Sequence, residues 1–379
     1  MAKPRDNNNS STKSFAGILK KYNAQVISWD KSELKSTESR DTGILSLNMA
    51  LGVGGLAKGI VVEFSGEPSM GKTLMALKII RTAQEKYGER SYFDDVECAT
   101  PKSWLVKQSI KLEFLDRLEE KEPDKDTGEI PNPLFADERL EILEEAILHG
   151  KYAYAVVDSV PSLMTRDQYE TTAGEDQRPG GLSKLLTERL PRLVHACAYT
   201  GTTVIFINQM RDKFGGANWG PKRKTTPGGM ALKHFCSVRV EVNRAAGSTE
   251  KDESGRPFQH AAVARIIKNK LAAPQREAQF TVNYSKGIMG GEGQLFEFAV
   301  SEGILIRAGA YYNFADTFAR GAELGRIKGR ENIEVLIQSD DILREQLLEH
   351  LALSVQDGSS AVPVEGSTEE DDASLSDSE

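Results

Sequence analysis

Between residues 45 and 207, short apolar runs alternate with stretches in which apolar residues recur every three or four positions. The runs have the length and composition of buried strands and lie at 60–64, 91–96, 152–157 and 203–207. The periodic stretches are typical of amphipathic helices and lie at 45–51, 72–87, 137–148 and 182–199. Strands that alternate with helices predict an α/β fold, with a mostly parallel central sheet and helices on both faces.

The pattern changes on both sides of this region. Residues 1–12 are polar, and apolar residues at helical spacing then predict a short amphipathic helix at 15–22. Beyond residue 236, strands without long helices are predicted at 237–242, 262–268 and 277–282, followed by a small mixed region with a last helix near 341–351. The predicted division is an N-terminal segment at 1–40, an α/β core at 41–285, a small α+β C-terminal domain at 286–355 and a disordered acidic tail at 356–379.

Charge is concentrated in that tail. The 379 residues carry a formal net charge of −8, but Glu365 to Glu379 hold seven acidic and no basic residues, so the rest of the chain is nearly neutral. A nearly neutral protein can still carry local basic strips. The chain has no apolar run long enough to span a membrane, no secretory signal, and three dispersed cysteines without metal-ligand spacing. These features predict a cytoplasmic protein with reduced thiols.

One short motif predicts a phosphate site. Residues 66–73 match the G-x-x-x-x-G-K-[ST] pattern and lie between a predicted strand and a predicted helix, as a P-loop requires. Glycines let backbone N–H groups point at phosphate oxygens, and the helix N-terminus adds a positive dipole end. The predicted cofactors are therefore ATP and Mg²⁺; the alternative is a chance glycine loop. The predicted loop residues are Gly66, Glu67, Pro68, Ser69, Met70, Gly71, Lys72 and Thr73.

Within this loop, Lys72 is expected to reach the β- and γ-phosphates, and Thr73 to bind the metal. A second metal carboxylate is expected on a neighbouring strand, and Asp158 follows the apolar run Ala155–Val157. Its alternative role is to cap the following turn. Hydrolysis also needs a group that orients water, and Glu97 follows the strand predicted at 91–96. On the residues alone, a glutamate after a strand is usually an ordinary solvated side chain.

Several blocks of the chain resemble bacterial RecA, from about Thr42 to Tyr312. They occur in the family's order and at similar spacing, and they read TGILSLNMALGVGGLAKGIVVEFSGEPSMGKT (42–73), VVDSV (156–160), IFINQMR (205–211), TTPGGMALKHFCSVRVEV (225–242), IIKNKLAAP (266–274) and AGAYYNF (308–314). The resemblance implies a RecA-type ATPase core at 41–285 and an N-terminal segment that serves oligomerisation. It implies a DNA recombination and repair protein that forms a helical filament on single-stranded DNA. DNA-stimulated ATP hydrolysis and strand exchange with homologous duplex DNA are expected, with single-strand-binding and loader proteins as further partners and a link to the SOS response.

The same resemblance implies roles for individual residues. Glu97 aligns with the base that activates the attacking water, and Lys72 and Gln209 complete the catalytic set, with Gln209 sensing the γ-phosphate. Trp104 lies where the family places an aromatic ring that stacks on adenine. Lys268 and Lys270 align with a pair that reaches the nucleotide of the neighbouring subunit. Alternation along a strand would place both on one face.

Two loops are expected to hold DNA. The first, at 165–181, contains Arg166 and Arg178. The second, at 210–230, combines cations for phosphates with apolar side chains that can wedge between bases, although such loops are also common as solvated linkers. Its candidate contacts are Arg211, Lys213, Phe214, Lys222, Arg223, Lys224, Gly228 and Gly229.

The chain also departs from the family pattern. Pro101 lies where an acidic adenine contact is expected, His234 lies where an aromatic interface residue is expected, and 119–135 resembles a polar insertion. Such differences fit a divergent or phage-encoded member. The acidic tail is expected either to compete with duplex phosphates for a basic C-terminal surface or to serve solubility only.

Two other functions share this core. A ring helicase normally has a large additional domain, whereas about 40 residues precede the predicted core here. An ATP-regulated coat protein for single-stranded DNA would not need Glu97.

Overall fold

The computed structural model describes residues 19–22, 26, 38–120, 132–171, 180–212, 224–289, 292–315, 318 and 323–356. The chain divides into two compact units, Met1–Glu38 and Ser39–Glu379. In the first unit residues 19–21 are helical, and most of the helix predicted at 15–22 lies outside the described residues. No helix in the described part of the chain is long and apolar enough to cross a membrane.

The N-terminal half of the second unit alternates strands with helices. Its elements are β1 (Ser39–Arg40), α1 (Leu45–Leu51), β2 (Leu56–Ala57), β3 (Val61–Gly66), α2 (Lys72–Thr82), a π-helical turn (Ala83–Tyr87), β4 (Ser91–Asp95), α3 (Lys102–Lys107), a 3₁₀ turn (Leu112–Phe114), β5 (Leu115–Arg117), α4 (Ala136–Gly150), β6 (Tyr154–Asp158), a 3₁₀ turn (Val160–Ser162), α5 (Arg166–Glu170), α6 (Gly181–Thr200) and β7 (Thr203–Gln209). The predicted strands and long helices are present, with ends shifted by a few residues.

Strands dominate the next part of the unit, and helices return at its end. The elements are β8 (Arg211–Asp212), β9 (Lys224–Thr225), α7 (Gly229–Phe235), β10 (Val238–Arg244), β11 (Glu250–Lys251), β12 (Pro257–Asn269), β13 (Glu277–Asn283), β14 (Gly287–Met289), α8 (Glu292–Ser301), β15 (Leu305–Ala308), β16 (Tyr311–Phe314), β17 (Ile327–Lys328), α9 (Arg330–Ser339) and α10 (Asp341–Gln356).

The central sheet has the order β14-β13-β12-β10-β3-β7-β6-β4-β5, with β11 paired to β12. The strands from β10 to β5 pair in parallel. The strands from β10 to β14 pair antiparallel and extend the sheet on one side. This arrangement confirms the predicted α/β fold, in which the carboxyl ends of the parallel strands meet at one edge.

Alternating side chains bury both faces of the sheet. On β3, Val62 and Phe64 join a cluster that packs α1 and α2 against one face. Val61 joins a second cluster, which packs α4, α6 and α7 against the opposite face. A third cluster is formed by the C-terminal elements β15 to β17 and α8 to α10, and Leu45 of α1 packs into it. The predicted domain boundaries remain predictions.

The middle of the sheet contains a buried ion pair. Glu63 on β3 is fully buried, and its two carboxylate oxygens accept hydrogen bonds from Arg239 Nε on β10 at 2.5 Å and from Asn208 Nδ2 on β7 at 2.8 Å. Losing one partner of such a pair typically costs about 3–5 kcal/mol. The pair therefore fixes three neighbouring strands beside the P-loop.

Candidate nucleotide and DNA site

The P-loop connects β3 to α2, as the motif requires. Gly71 precedes α2 with a φ of 94°, and a Cβ atom there would lie 2.8 Å from Val282 Cγ2. At Gly66, a Cβ atom would lie 2.2 Å from the carbonyl oxygen of Val242. Both positions therefore require glycine, for backbone conformation and for close packing. The loop therefore packs closely against β10 at Gly66 and against β13 at Gly71.

Lys72 is almost fully buried inside the loop. Its Nζ donates hydrogen bonds to the carbonyl oxygens of Gly66 at 3.1 Å and Glu67 at 2.6 Å. Burial lowers the pKa of Lys72, and the nearby carboxylates of Asp158, Glu97 and Glu67 oppose that shift. The ammonium is thus fixed at the centre of a loop whose geometry suits phosphate oxygens.

A hydroxyl and a carboxylate lie side by side next to Lys72. Thr73 Oγ1 donates a hydrogen bond to Asp158 Oδ2 at 2.6 Å. Burial raises the pKa of Asp158 to about 6, and the carboxylates of Glu97 and Asp95 add to this rise while the Thr73 bond opposes it. Oxygen donors of these two kinds fit Mg²⁺, which binds through one or two protein oxygens plus phosphate and water.

Glu97 is tied to the end of β6 and to Gln209. Its backbone N–H and that of Val96 donate to the carbonyl oxygen of Asp158 at 3.3 and 2.8 Å. Its Oε1 accepts a hydrogen bond from Gln209 Nε2 at 2.9 Å, a short hydrogen bond from Ser159 Oγ and a long one of 3.4 Å from Ser162 Oγ. The predicted base and the predicted γ-phosphate sensor are therefore in direct contact.

A cleft of about 350 Å³ gathers the predicted residues. Its lining residues are Thr73, Asp95, Glu97, Ala99, Thr100, Pro101, Trp104 and Asp158. Trp104, on α3, is half-buried and packs against the first hydrophobic cluster. The predicted metal-binding pair, the predicted base and the predicted stacking ring thus share one cavity. Ser159 and Ser162 were not predicted, although the block at 156–160 marked the position of the first.

The two ends of the second predicted DNA loop are held together by backbone pairing. Strands β8 and β9 pair antiparallel, Arg211 with Thr225 and Asp212 with Lys224. Asn208 Nδ2 also donates to the carbonyl oxygen of Pro227 at 3.0 Å, which ties the end of β7 to the end of the loop. The predicted contacts between these strands, Lys213, Phe214, Lys222 and Arg223, lie outside the described residues.

Gly228 and Gly229 begin α7 and pack against α6. A Cβ atom on Gly228 would lie 2.9 Å from Leu186 Cδ1, and one on Gly229 would lie 2.1 Å from Ser183 Oγ. Both glycines have positive φ angles, 87° and 66°. This packing by itself accounts for glycine at both positions, whatever their role toward DNA.

The first predicted DNA loop is partly helical, because α5 occupies its beginning. Arg166, in this helix, donates from Nη2 to Glu138 Oε1 at 3.0 Å, and its guanidinium lies 4.2 Å from the ring centroid of Phe135. Arg178 lies outside the described residues. Arg166 is therefore already paired with groups at the start of α4.

The expectation that alternation places Lys268 and Lys270 on one strand face stays a prediction. Strand β12 ends at Asn269, whose Oδ1 accepts hydrogen bonds from the backbone of Leu271 and Ala272 and turns the chain. Lys270 therefore lies beyond the strand. Lys268 Nζ donates to the carbonyl oxygens of Lys233 and His234, at 2.7 and 2.9 Å, in the last turn of α7.

Comparison with known proteins extends over most of the chain. The protein-family model of the RecA N-terminal domain matches residues 12–289. Protein RecA of Aquifex aeolicus is 34% identical over 87% of this chain and 90% of its own length. Protein RecA of Oleidesulfovibrio alaskensis is 33% identical over 82% of each chain, and that of Campylobacter fetus is 30% identical over 88% of each. The matched region contains the P-loop, the cleft and the described ends of both predicted DNA loops.

Replacing Asp158 by Asn should stabilise the nucleotide-free protein at pH 8. Because burial raises the pKa of Asp158 to about 6, its ionised form destabilises the folded chain by on the order of 1–3 kcal/mol. The folded chain binds this proton more tightly than the unfolded chain does. Its contribution to stability therefore falls as the pH rises from about 4 to about 6. Urea denaturation at pH 5 and pH 8 measures the difference, and the variant should show a smaller pH dependence.

Asp94 provides the control for this measurement. Burial also raises the pKa of Asp94 to about 6, but its Oδ1 accepts a hydrogen bond from buried Arg139 at 2.5 Å. Asp94→Asn should therefore destabilise the protein, because it leaves a buried cation with a weaker partner. An Asp158→Asn variant that is less stable than the wild type at pH 8 would show that ionised Asp158 does not destabilise the folded chain.

Proposed function

Because the chain belongs to the RecA family of recombination and repair proteins, which are DNA-dependent ATPases, we propose that it hydrolyses ATP with Mg²⁺ in the cleft at the ends of β3, β4 and β6. It does so as a helical filament on single-stranded DNA, in which it pairs homologous strands. The observation that carries this proposal is the 2.9 Å hydrogen bond between Gln209 Nε2 and Glu97 Oε1. It connects the residue that precedes the second DNA loop to the candidate base.

The P-loop residues bind and orient the triphosphate. Lys72 is held by two loop carbonyls, and phosphate oxygens replace them as acceptors when nucleotide binds. Thr73 and Asp158 would hold a Mg²⁺ ion, which would neutralise phosphate charge. The backbone N–H groups of the loop and the N-terminus of α2 complete the phosphate site. In the same cleft, Trp104 stacks on the adenine ring of the nucleotide.

Glu97 then acts as the base that orients the attacking water. In the structure its Oε1 accepts hydrogen bonds from Gln209 and from two serine hydroxyls. A water molecule must compete with these donors for the same oxygen. DNA binding to the loop that starts after Gln209 moves the amide away and frees Glu97. ATP turnover thereby depends on DNA.

The filament interface involves α7, which follows the other end of the second DNA loop. In the structure, Lys268 caps α7, the helix that follows the second DNA loop. Lys268 and Lys270 reach the nucleotide of the neighbouring subunit in the filament, so Lys268 must then leave the carbonyl oxygens of α7. Nucleotide at the interface and DNA in the loop therefore act on one short helix. The partners are single-stranded DNA, homologous duplex DNA and further copies of the chain, with loader and single-strand-binding proteins, in the cytoplasm of a bacterial cell.

Glu97→Gln should lower the rate of phosphate release in the presence of single-stranded DNA by about 10²–10⁴-fold, the usual contribution of a general base. ATP binding and filaments seen by electron microscopy should persist. Lys72→Ala should lose both nucleotide binding and hydrolysis, because the phosphates lose their fixed cation. Glu85→Gln, which neutralises an exposed glutamate paired with Arg81 on the surface, serves as the matched control. Normal turnover in Glu97→Gln would place the base elsewhere.

Glu138→Gln should increase the affinity for single-stranded DNA, because it releases Arg166 from an ion pair with which DNA phosphates compete. Exposed pairs contribute about 0–1 kcal/mol, so the expected gain is at most about fivefold. Glutamine keeps the acceptor for the backbone N–H of Phe135, which now bonds to Glu138 Oε2 at 2.8 Å. Fluorescence anisotropy with a labelled oligonucleotide over a salt series measures the affinity.

The matched control is Glu141→Gln on the same helix. Glu141 pairs with Arg189 at 2.9 Å, and its neutralisation changes the net charge by the same amount. Equal affinities of the two variants would show that Arg166 does not contact DNA.

A further inference from the structure

Three side-chain donors converge on one oxygen of the candidate base. Oε1 of Glu97 accepts hydrogen bonds from Gln209 Nε2 at 2.9 Å, from Ser159 Oγ, and from Ser162 Oγ at 3.4 Å. The Ser162 contact is longer than the roughly 2.5–3.0 Å of a good O–H···O bond, so it is the weakest of the three. Each carboxylate oxygen has about two lone-pair sites. Ser159 and Gln209 therefore fill the two places on Oε1.

The Ser159 hydroxyl is held in a fixed position relative to Glu97. Ser159 is fully buried and follows Asp158, the last residue of β6. The carbonyl oxygen of Asp158 accepts hydrogen bonds from the backbone N–H groups of Val96 and Glu97, and the carbonyl oxygen of Ser159 accepts one from Ser162 N at 3.0 Å. Backbone bonds thus join the turn after β4 to the turn after β6. The hydroxyl and the carboxylate lie on these two joined turns.

Gln209 is less constrained than Ser159. It is half-buried and is the last residue of β7, directly before the second predicted DNA loop. Its side chain has three rotatable bonds, so the amide can leave Oε1 by rotation alone. Serine has a single such bond, and rotation of the Ser159 side chain would leave a fully buried hydroxyl with a weaker partner, which is unfavourable. Of the two donors, Gln209 is therefore the one that moves.

We propose that Ser159 is a positioning residue whose hydroxyl stays bonded to Oε1 of Glu97 throughout turnover. Gln209 and the attacking water then exchange at the one remaining place on that oxygen. This inference rests on the proposed ATP hydrolysis and deepens it by naming the group that keeps the base aligned. Because Ser159 fills one place, the amide and the water exclude each other. When the amide leaves, the hydroxyl prevents the carboxylate from rotating away from the water.

The first test is Ser159→Ala in the full chain, assayed by phosphate release from ATP with Mg²⁺ on saturating single-stranded DNA. The value of kcat should fall about 10–100-fold, the usual effect of a misplaced catalytic group. The KM for ATP should change little, because Ser159 bonds to Glu97 and not to the P-loop. The matched control is Ser91→Ala, which removes another fully buried serine hydroxyl at the opposite end of β4 and should keep the wild-type kcat.

The second test shows whether Ser159 acts through Glu97. In a Glu97→Ala background, Ser159→Ala should cause no further loss of phosphate release, because the carboxylate that the hydroxyl holds is already missing. Binding of a fluorescent ATP analogue should be retained in both single variants.

A wild-type kcat in Ser159→Ala, or the same fold loss in both backgrounds, would overturn the inference and leave the proposed function standing. Lost binding of the ATP analogue in Ser159→Ala would show that the serine supports the fold of the nucleotide site, which also overturns the inference. Wild-type turnover in Glu97→Ala would instead overturn the proposed role of Glu97 as the base.

Discussion

The nucleotide cleft depends on the attraction between one buried cation, Lys72, and the carboxylates gathered at the strand ends. Parallel pairing brings the carboxyl ends of β3, β4 and β6 to one edge of the sheet, so Glu97 and Asp158 lie near each other. Burial of Asp158 and the nearby carboxylate of Glu97 raise the pKa of Asp158 to about 6. The ammonium of Lys72 opposes a small part of this rise. The proposed metal ion, held by Thr73 and Asp158, would add further positive charge.

Strand order explains how a DNA loop can influence this cleft. Glu97 follows β4 and Gln209 ends β7, and β6 lies between these strands. Their side chains nevertheless bond across the end of β6, where the chain turns at Ser159. On the other side of Gln209, the buried pair of Glu63 and Arg239 holds Asn208, and Asn208 holds the far end of the loop at Pro227. The described ends of the predicted DNA loop are therefore tied to each other through Asn208, and the neighbouring Gln209 contacts Glu97, the candidate general base.

Local patterns predicted the strands, the long helices and the P-loop, because hydrophobic period and motif spacing act over a few residues. The resemblance to a family supplied the roles of Glu97 and Gln209. What the sequence could not show depends on contacts between distant segments. Arg166 carries a charge suited to DNA, but only the packing of α5 on α4 reveals its pairing with Glu138. Lys270 matches a family position, but the pattern did not show the turn that Asn269 forms at the end of the strand.

The buried cluster on α4 is a second example of this limit. Arg139 bonds to Asp94 on β4 and to Glu120, yet helical periodicity gives no reason to bury an arginine. Its burial follows from where α4 crosses the sheet. Such tertiary positions decide which charges are exposed to DNA and which hold the cleft together.

The proposed role of Gln209 is to carry the effect of DNA to Glu97. The most direct test is the ratio of phosphate-release rates with and without single-stranded DNA, measured for the wild type and for Gln209→Ala under conditions in which both bind DNA. This ratio should fall to near one in Gln209→Ala, although anisotropy still shows bound oligonucleotide. A variant that binds DNA and is stimulated by it as strongly as the wild type would contradict this role.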